Sequence, residues 1–142
     1  MKWFTRICFH AFVLASLSTA GIGNSLAQTT ASTSNEKTEL LWFGQAGFRI
    51  ITPGGKTVVI DPWWTGGPKT PAPFKTDISS VGKVDLLLVT HAHVDHIGDA
   101  PALAKLNNTV LYGPADMITP LITLGILPAD LTHRFNKSGN VK

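Results

Sequence analysis

Cysteine is all but missing from this chain of 142 residues: the single one, Cys8, lies near the N-terminus. One thiol cannot make an internal disulfide, and a cysteine-ligated metal centre is excluded with it. Charge is scarce as well, at 15% Asp, Glu, Lys and Arg, with a formal net charge of only +3. Setting Lys2 and Arg6 aside leaves ten basic against nine acidic residues, too even a balance for the basic surface that nucleic acid requires. No apolar run reaches the roughly 20 residues that a membrane span takes, and no internal repeat or low-complexity tract is present. What is there is a 44% hydrophobic chain of a size for one domain with a modest core.

The N-terminus has the layout of a secretory signal. Lys2 and Arg6 supply positive charge, Ile7 to Leu17 is almost wholly apolar, and small residues follow. Ser25-Leu26-Ala27 offers small residues where a signal peptidase reads them, with cleavage before Gln28, and Ser18-Thr19-Ala20 is a second site. The alternative is an uncleaved anchor. The expected organisation is a signal at 1–27, a Thr/Ser/Asn-rich linker at 28–38 and a domain at 39–142. Export to the periplasm or beyond follows, with no stable membrane anchor after cleavage. A mature chain without any thiol tolerates such an oxidising compartment.

Leu40–Phe43, Phe48–Ile51 and Lys56–Ile60, separated by glycines and by Pro53-Gly54-Gly55, read as a β-meander. The Pro- and Gly-rich stretch after Asp61-Pro62-Trp63-Trp64, as far as Ser80, reads as a loop. Val84–Thr90 is nearly continuous in apolar residues, the pattern of a central strand covered on both faces. Asp99 can cap a helix with Pro101 in its first turn, ending at Asn107-Asn108. Thr109–Tyr112 reads as the next strand, and Asp116 can cap a second helix toward Gly125, with Pro120 in its first turns. Residues 137–142 read as a solvated turn leading into a further strand. Strands alternating with helices place the chain in the α/β or α+β class.

The chemistry lies in His91-Ala92-His93-Val94-Asp95-His96. Three imidazoles and a carboxylate without thiolate suit zinc, iron or manganese. At the end of an extended strand, residues two apart face the same way, so His91 and His93 can grip one ion together. Asp95 and His96 come after the chain has begun to turn and can reach a second position. Thr90 to Asp99, following an apolar strand, resembles the HxHxDH signature of the metallo-β-lactamase superfamily. Ile60-Asp61-Pro62 with Gly66-Gly67 beyond it is similar to the corresponding segment of the lactonase-like, metal-dependent hydrolases in that superfamily. The resemblance covers roughly Glu39 to Lys142.

That resemblance implies the first half of an αββα sandwich with two divalent transition-metal ions. His91 and His93 would bind one, and Asp95 and His96 the other. Zinc is the first expectation, being redox-inert and content with nitrogen and oxygen ligands. The implied function is hydrolysis of an ester, lactone, amide or phosphodiester in a small-molecule substrate, by water that the metals activate. Asp95 is the implied catalytic residue, as a ligand that also orients the water. Asp61 is either a group supporting the site or a plain turn aspartate before proline. Trp63 and Trp64 either line a substrate cleft or cover the core. His133 is either a third ligand of the first ion or a loop histidine. The superfamily's remaining ligands are expected downstream, so the rival reading is a truncated, non-catalytic metal-binding remnant. A di-iron redox protein of the same fold works with a flavin domain, for which the chain has no room.

Overall fold

The computed structural model describes residues 37–136. The expected signal at 1–27, the linker as far as residue 36 and the turn at 137–142 lie outside the described residues. Strands β1 (Glu39–Gly44), β2 (Gly47–Ile51) and β3 (Thr57–Ile60) form the expected meander, each antiparallel to the next. Its second turn is closed by Thr52, whose N–H donates to the Lys56 carbonyl, with Gly55 at φ +74°. The pattern then changes. Strands β4 (Leu86–Leu88), β5 (Leu111–Pro114) and β6 (Thr132–Phe135) add in order and in parallel, giving one six-stranded sheet in sequence order. This mixed sheet with its helices is the α/β architecture expected.

Several elements differ from the sequence reading, each for a local reason. The stretch read as one long loop holds α1 (Ala72–Thr76) and a single 3-10 turn, Ile78–Val81. Pro73 is tolerated in the first helical turn, and Asp77 caps the 3-10 turn by accepting from the Ser79 N–H. The central strand is only three residues long, because Val84 and Thr90 donate their N–H groups to the side chains of Asn107 and Asp61. Strand β5 starts two residues later than expected: the Thr109 N–H returns to the Ala104 carbonyl and closes α3 (Ala100–Asn107). Asn108, in the left-handed region at φ +48°, ends that helix where the sequence placed its end. Helix α4 (Ala115–Thr123) begins after Pro114, so Asp116 sits inside its first turn and Pro120 within the helix. β6 stands where a loop was expected around His133.

Strand alternation divides the side chains between two faces. Phe43, Val59, Leu87 and Leu111 point to one face and are buried. There they meet Ala100, Leu103 and Ala104 of α3, Met117, Ile118 and Leu121 of α4, and Trp64 from the loop after β3. The core therefore lies between the sheet and a single helical layer. The registers put Leu40, Trp42, Phe48, Ile50, Val58, Ile60, Leu86, Leu88 and Tyr112 on the other face. None of these is buried.

Candidate metal centre

In a sheet with parallel strands, ligands collect outside the carboxyl ends, and that is where β4 delivers the histidine run. Past Leu88 the chain leaves the sheet, bends at Thr90 and again at Ala92 and His93 rather than staying extended as the sequence suggested, and then makes one helical turn, α2 (Val94–Ile97), which carries Asp95 and His96. The rings of His91 and His93 lie 4.5 Å apart between centroids, and those of His91 and His96 3.9 Å apart. The Asp95 carboxylate is 3.9 Å from His96 Nε2. His91 thus touches both other imidazoles, and the Asp95 carboxylate stands beside His96. Among the described residues, no three His, Cys, Asp or Glu side chains are arranged so that together they could hold one ion. The donor types fit a divalent transition metal. The rings touch one another rather than spread around a common centre.

Asp61 is the pivot beneath them. It is 3% exposed, stands in the left-handed region at φ +47°, and gives its N–H to the Leu88 carbonyl. Its carboxylate accepts from the N–H of Thr90 at 2.7 Å, the hydroxyl of Thr90 at 2.8 Å and Nδ1 of His96 at 2.9 Å. The Thr90 hydroxyl has one hydrogen, which goes to Asp61. Its lone pairs therefore face Nδ1 of His91 and of His96, each at 3.1 Å. With His91 giving its Nδ1 proton to Thr90 and His96 giving its own to Asp61, both imidazoles present an unprotonated Nε2 whose lone pair can bind a metal, the arrangement that outer hydrogen bonds impose on metal-binding histidines. Of the two readings of Asp61, the one that supports the site agrees with these contacts. Thr90 was visible in the sequence only as the residue preceding the motif.

A cavity of about 510 Å³ opens beside His91, lined by Thr90, Pro114, Ala115, Asp116, Phe135 and Asn136. Trp64 belongs to the core, its ring tilted by 41° against that of Phe43 with centroids 4.4 Å apart, while Trp63 is half-buried. His133 is not gathered with the other histidines. It stands exposed on β6 with its ring 5.1 Å from Tyr112.

Residues 56–141 match the family model described as a beta-lactamase superfamily domain. A protein of Polynucleobacter asymbioticus named UPF0173 metal-dependent hydrolase is 63% identical over 134 residues, 94% of this chain and 47% of its own. A namesake in Cupriavidus necator is 57% identical over 105 residues, 74% of this chain and 36% of its own. The chain therefore spans less than half the length of these relatives. Among solved structures, Igni18, a metallo hydrolase of the archaeon Ignicoccus hospitalis, superposes with a TM-score of 0.57 at 27% identity. That likeness covers 74% of this chain and 42% of the other.

Proposed function

The chain belongs to the metallo-β-lactamase superfamily, and from that membership we propose that it carries the first part of the metal centre of a metal-dependent hydrolase. The observation that carries the proposal is the gathering of the His91, His93 and His96 rings at the carboxyl end of β4. His91 and His93 serve one ion; Asp95 and His96 serve a second. Zinc is the metal of choice for such nitrogen and oxygen donors. Bound ions of this kind polarise a substrate oxygen and acidify water. The chain's own part is to present Nε2 of His91 and His96, to hold the His96 ring through its hydrogen bond to Asp61, and to orient the reacting water through Asp95. The substrate is a small molecule with an ester, lactone, amide or phosphodiester bond. The cavity beside His91 has a volume within the usual range of about 300–1,000 Å³ for ligand sites.

The test is elemental analysis of purified protein. His91→Ala with His93→Ala should empty the first position, and Asp95→Ala mainly the second. Unchanged metal content in a variant lacking all four side chains would end the assignment. A non-catalytic, weakly metal-binding chain is the second reading, favoured by the lack of any three converging donors among the described residues. The residues before the domain are proposed to direct export, motivated by Lys2, Arg6 and the apolar run to Leu17. In a Gram-negative host the intact mass of the periplasmic product should begin at Gln28; a full-length cytoplasmic product would remove that idea.

A further inference from the structure

Asp99 closes the segment that carries the candidate ligands, and it is buried, at 7% exposure. Its backbone stands at the N-cap of α3, where an aspartate ordinarily accepts from the helix's first N–H groups, yet its carboxylate makes no such bond. It turns instead to the loop after β3. There it accepts from the N–H groups of Trp64 and Thr65, the latter at 3.0 Å, and from the Thr65 hydroxyl at 2.7 Å. The Asp99 N–H donates to the Pro62 carbonyl at 2.9 Å. One residue thus fastens the whole stretch from Pro62 to Thr65.

The near end of that stretch is Asp61, the residue that holds His96. A left-handed backbone conformation at a non-glycine residue costs energy and persists only where its surroundings enforce it. Asp61 is fixed on one side by Leu88. On the other side the fixing comes from the Pro62–Thr65 anchorage. The Trp63 ring adds a third fastening. A Cβ on Gly66 would come within 2.4 Å of its Nε1, and one on Gly98 within 2.5 Å of its Cδ1. Gly98 lies between His96 and Asp99, so the Trp63 ring packs directly against the segment that carries the candidate ligands.

We propose that Asp99 is a positioning residue for the metal centre: through the Pro62–Thr65 loop it holds Asp61 in place on His96. The proposal rests on the metal-centre reading above. The full chain is compared with Asp99→Ala, Asp99→Asn and Thr65→Ala by two readouts. Long-range proton–nitrogen spectra of the metal-free protein report the His96 tautomer, and competition with a chromophoric chelator reports zinc affinity.

Asp99→Ala is expected to lose the single Nδ1–H tautomer of His96 and to weaken zinc binding by about tenfold or more, as loss of outer-shell support commonly does. Asp99→Asn is expected to restore both, because its amide oxygen can accept from Trp64 and Thr65 while its NH₂ donates to the Thr65 hydroxyl. Thr65→Ala, at an exposed position, removes one bond and should show a smaller loss in the same direction. A role confined to fold stability would lower the unfolding temperature of Asp99→Ala but leave the tautomer and zinc affinity of its folded fraction unchanged, and that result overturns the proposal. If Asp99→Ala does not fold, an unchanged tautomer and zinc affinity in Thr65→Ala overturns it. Should the parent chain bind no zinc at all, the metal-centre reading falls, while the tautomer comparison still decides the role of Asp99.

Discussion

A carboxylate and its amide differ by one proton-bearing nitrogen, and at Asp61 that difference is decisive. Asparagine tolerates the left-handed conformation that Asp61 adopts at φ +47°, and its oxygen can still accept from the Thr90 N–H. Its NH₂ then falls where Oδ2 now receives the Thr90 hydroxyl and His96 Nδ1. Two donors would face each other there. Moving the His96 proton to Nε2 relieves the conflict but removes the nitrogen proposed to meet the metal. Asp61→Asn should therefore fold with an unfolding temperature close to that of the parent, yet bind zinc about 10- to 100-fold more weakly. Parallel chelator titrations of the two proteins check this, and equal affinities would count against the role given to Asp61.

At the scale of elements, Asp85 fastens the start of β3 to the entry of β4. It accepts from the Thr57 N–H at 3.0 Å and meets the Lys83 and Lys56 ammonium groups at 2.8 and 3.4 Å. The hydrogen bond from Lys83, helped by that from Thr57, holds its pKa down to about 2. A depressed folded-state pKa contributes stability above the unfolded carboxylate value of about 3.9, and that contribution is lost as pH falls toward the folded value. Asp85→Asn should thus flatten the fall in unfolding temperature between about pH 4 and pH 2, by a modest amount because the pair is solvent-screened. Calorimetric scans across that range test it, and identical pH profiles would argue against the tie. The meander, the end of α3 and the histidine run were legible in the sequence, since alternation, turn residues and ligand spacing are local signals. β6, the shortness of β4 and the shift of β5 were not. The ends of β4 are decided by Asp61 and Asn107 bonding to groups far along the chain, and β6 by its pairing with β5, neither of which a window of neighbours contains, while β5 is shortened because Thr109 bonds back to Ala104 at the end of α3. Asp99 misled for the same reason: its position before Pro101 suits a cap, but its partners lie in the loop after β3.

For the whole molecule, the uneven dressing of the sheet matters most. One face is sealed by α3, α4 and Trp64, whereas the other presents Leu40 at 65% and Trp42 at 49% exposure beside half-buried Phe48, Ile50, Val58, Ile60, Leu86 and Leu88. An apolar surface running across four strands is far more than the scattered exposed hydrophobes of ordinary soluble proteins, and such patches mark association sites. Two such faces packed against each other would form a sandwich core about 10 Å thick. Residues 28–142 on their own should therefore bind an apolar-surface dye and sediment as associated species, with loose metal binding and little ester or lactone hydrolysis. Leu40→Lys with Trp42→Lys places charge on the outermost strand of that face without touching Phe43 or the helical layer. This double variant should shift sedimentation toward the monomer and lower the dye signal. The expectation fails if residues 28–142 sediment as a monomer with no dye binding, hold two metals tightly and turn over a substrate in a way that Asp95→Ala destroys.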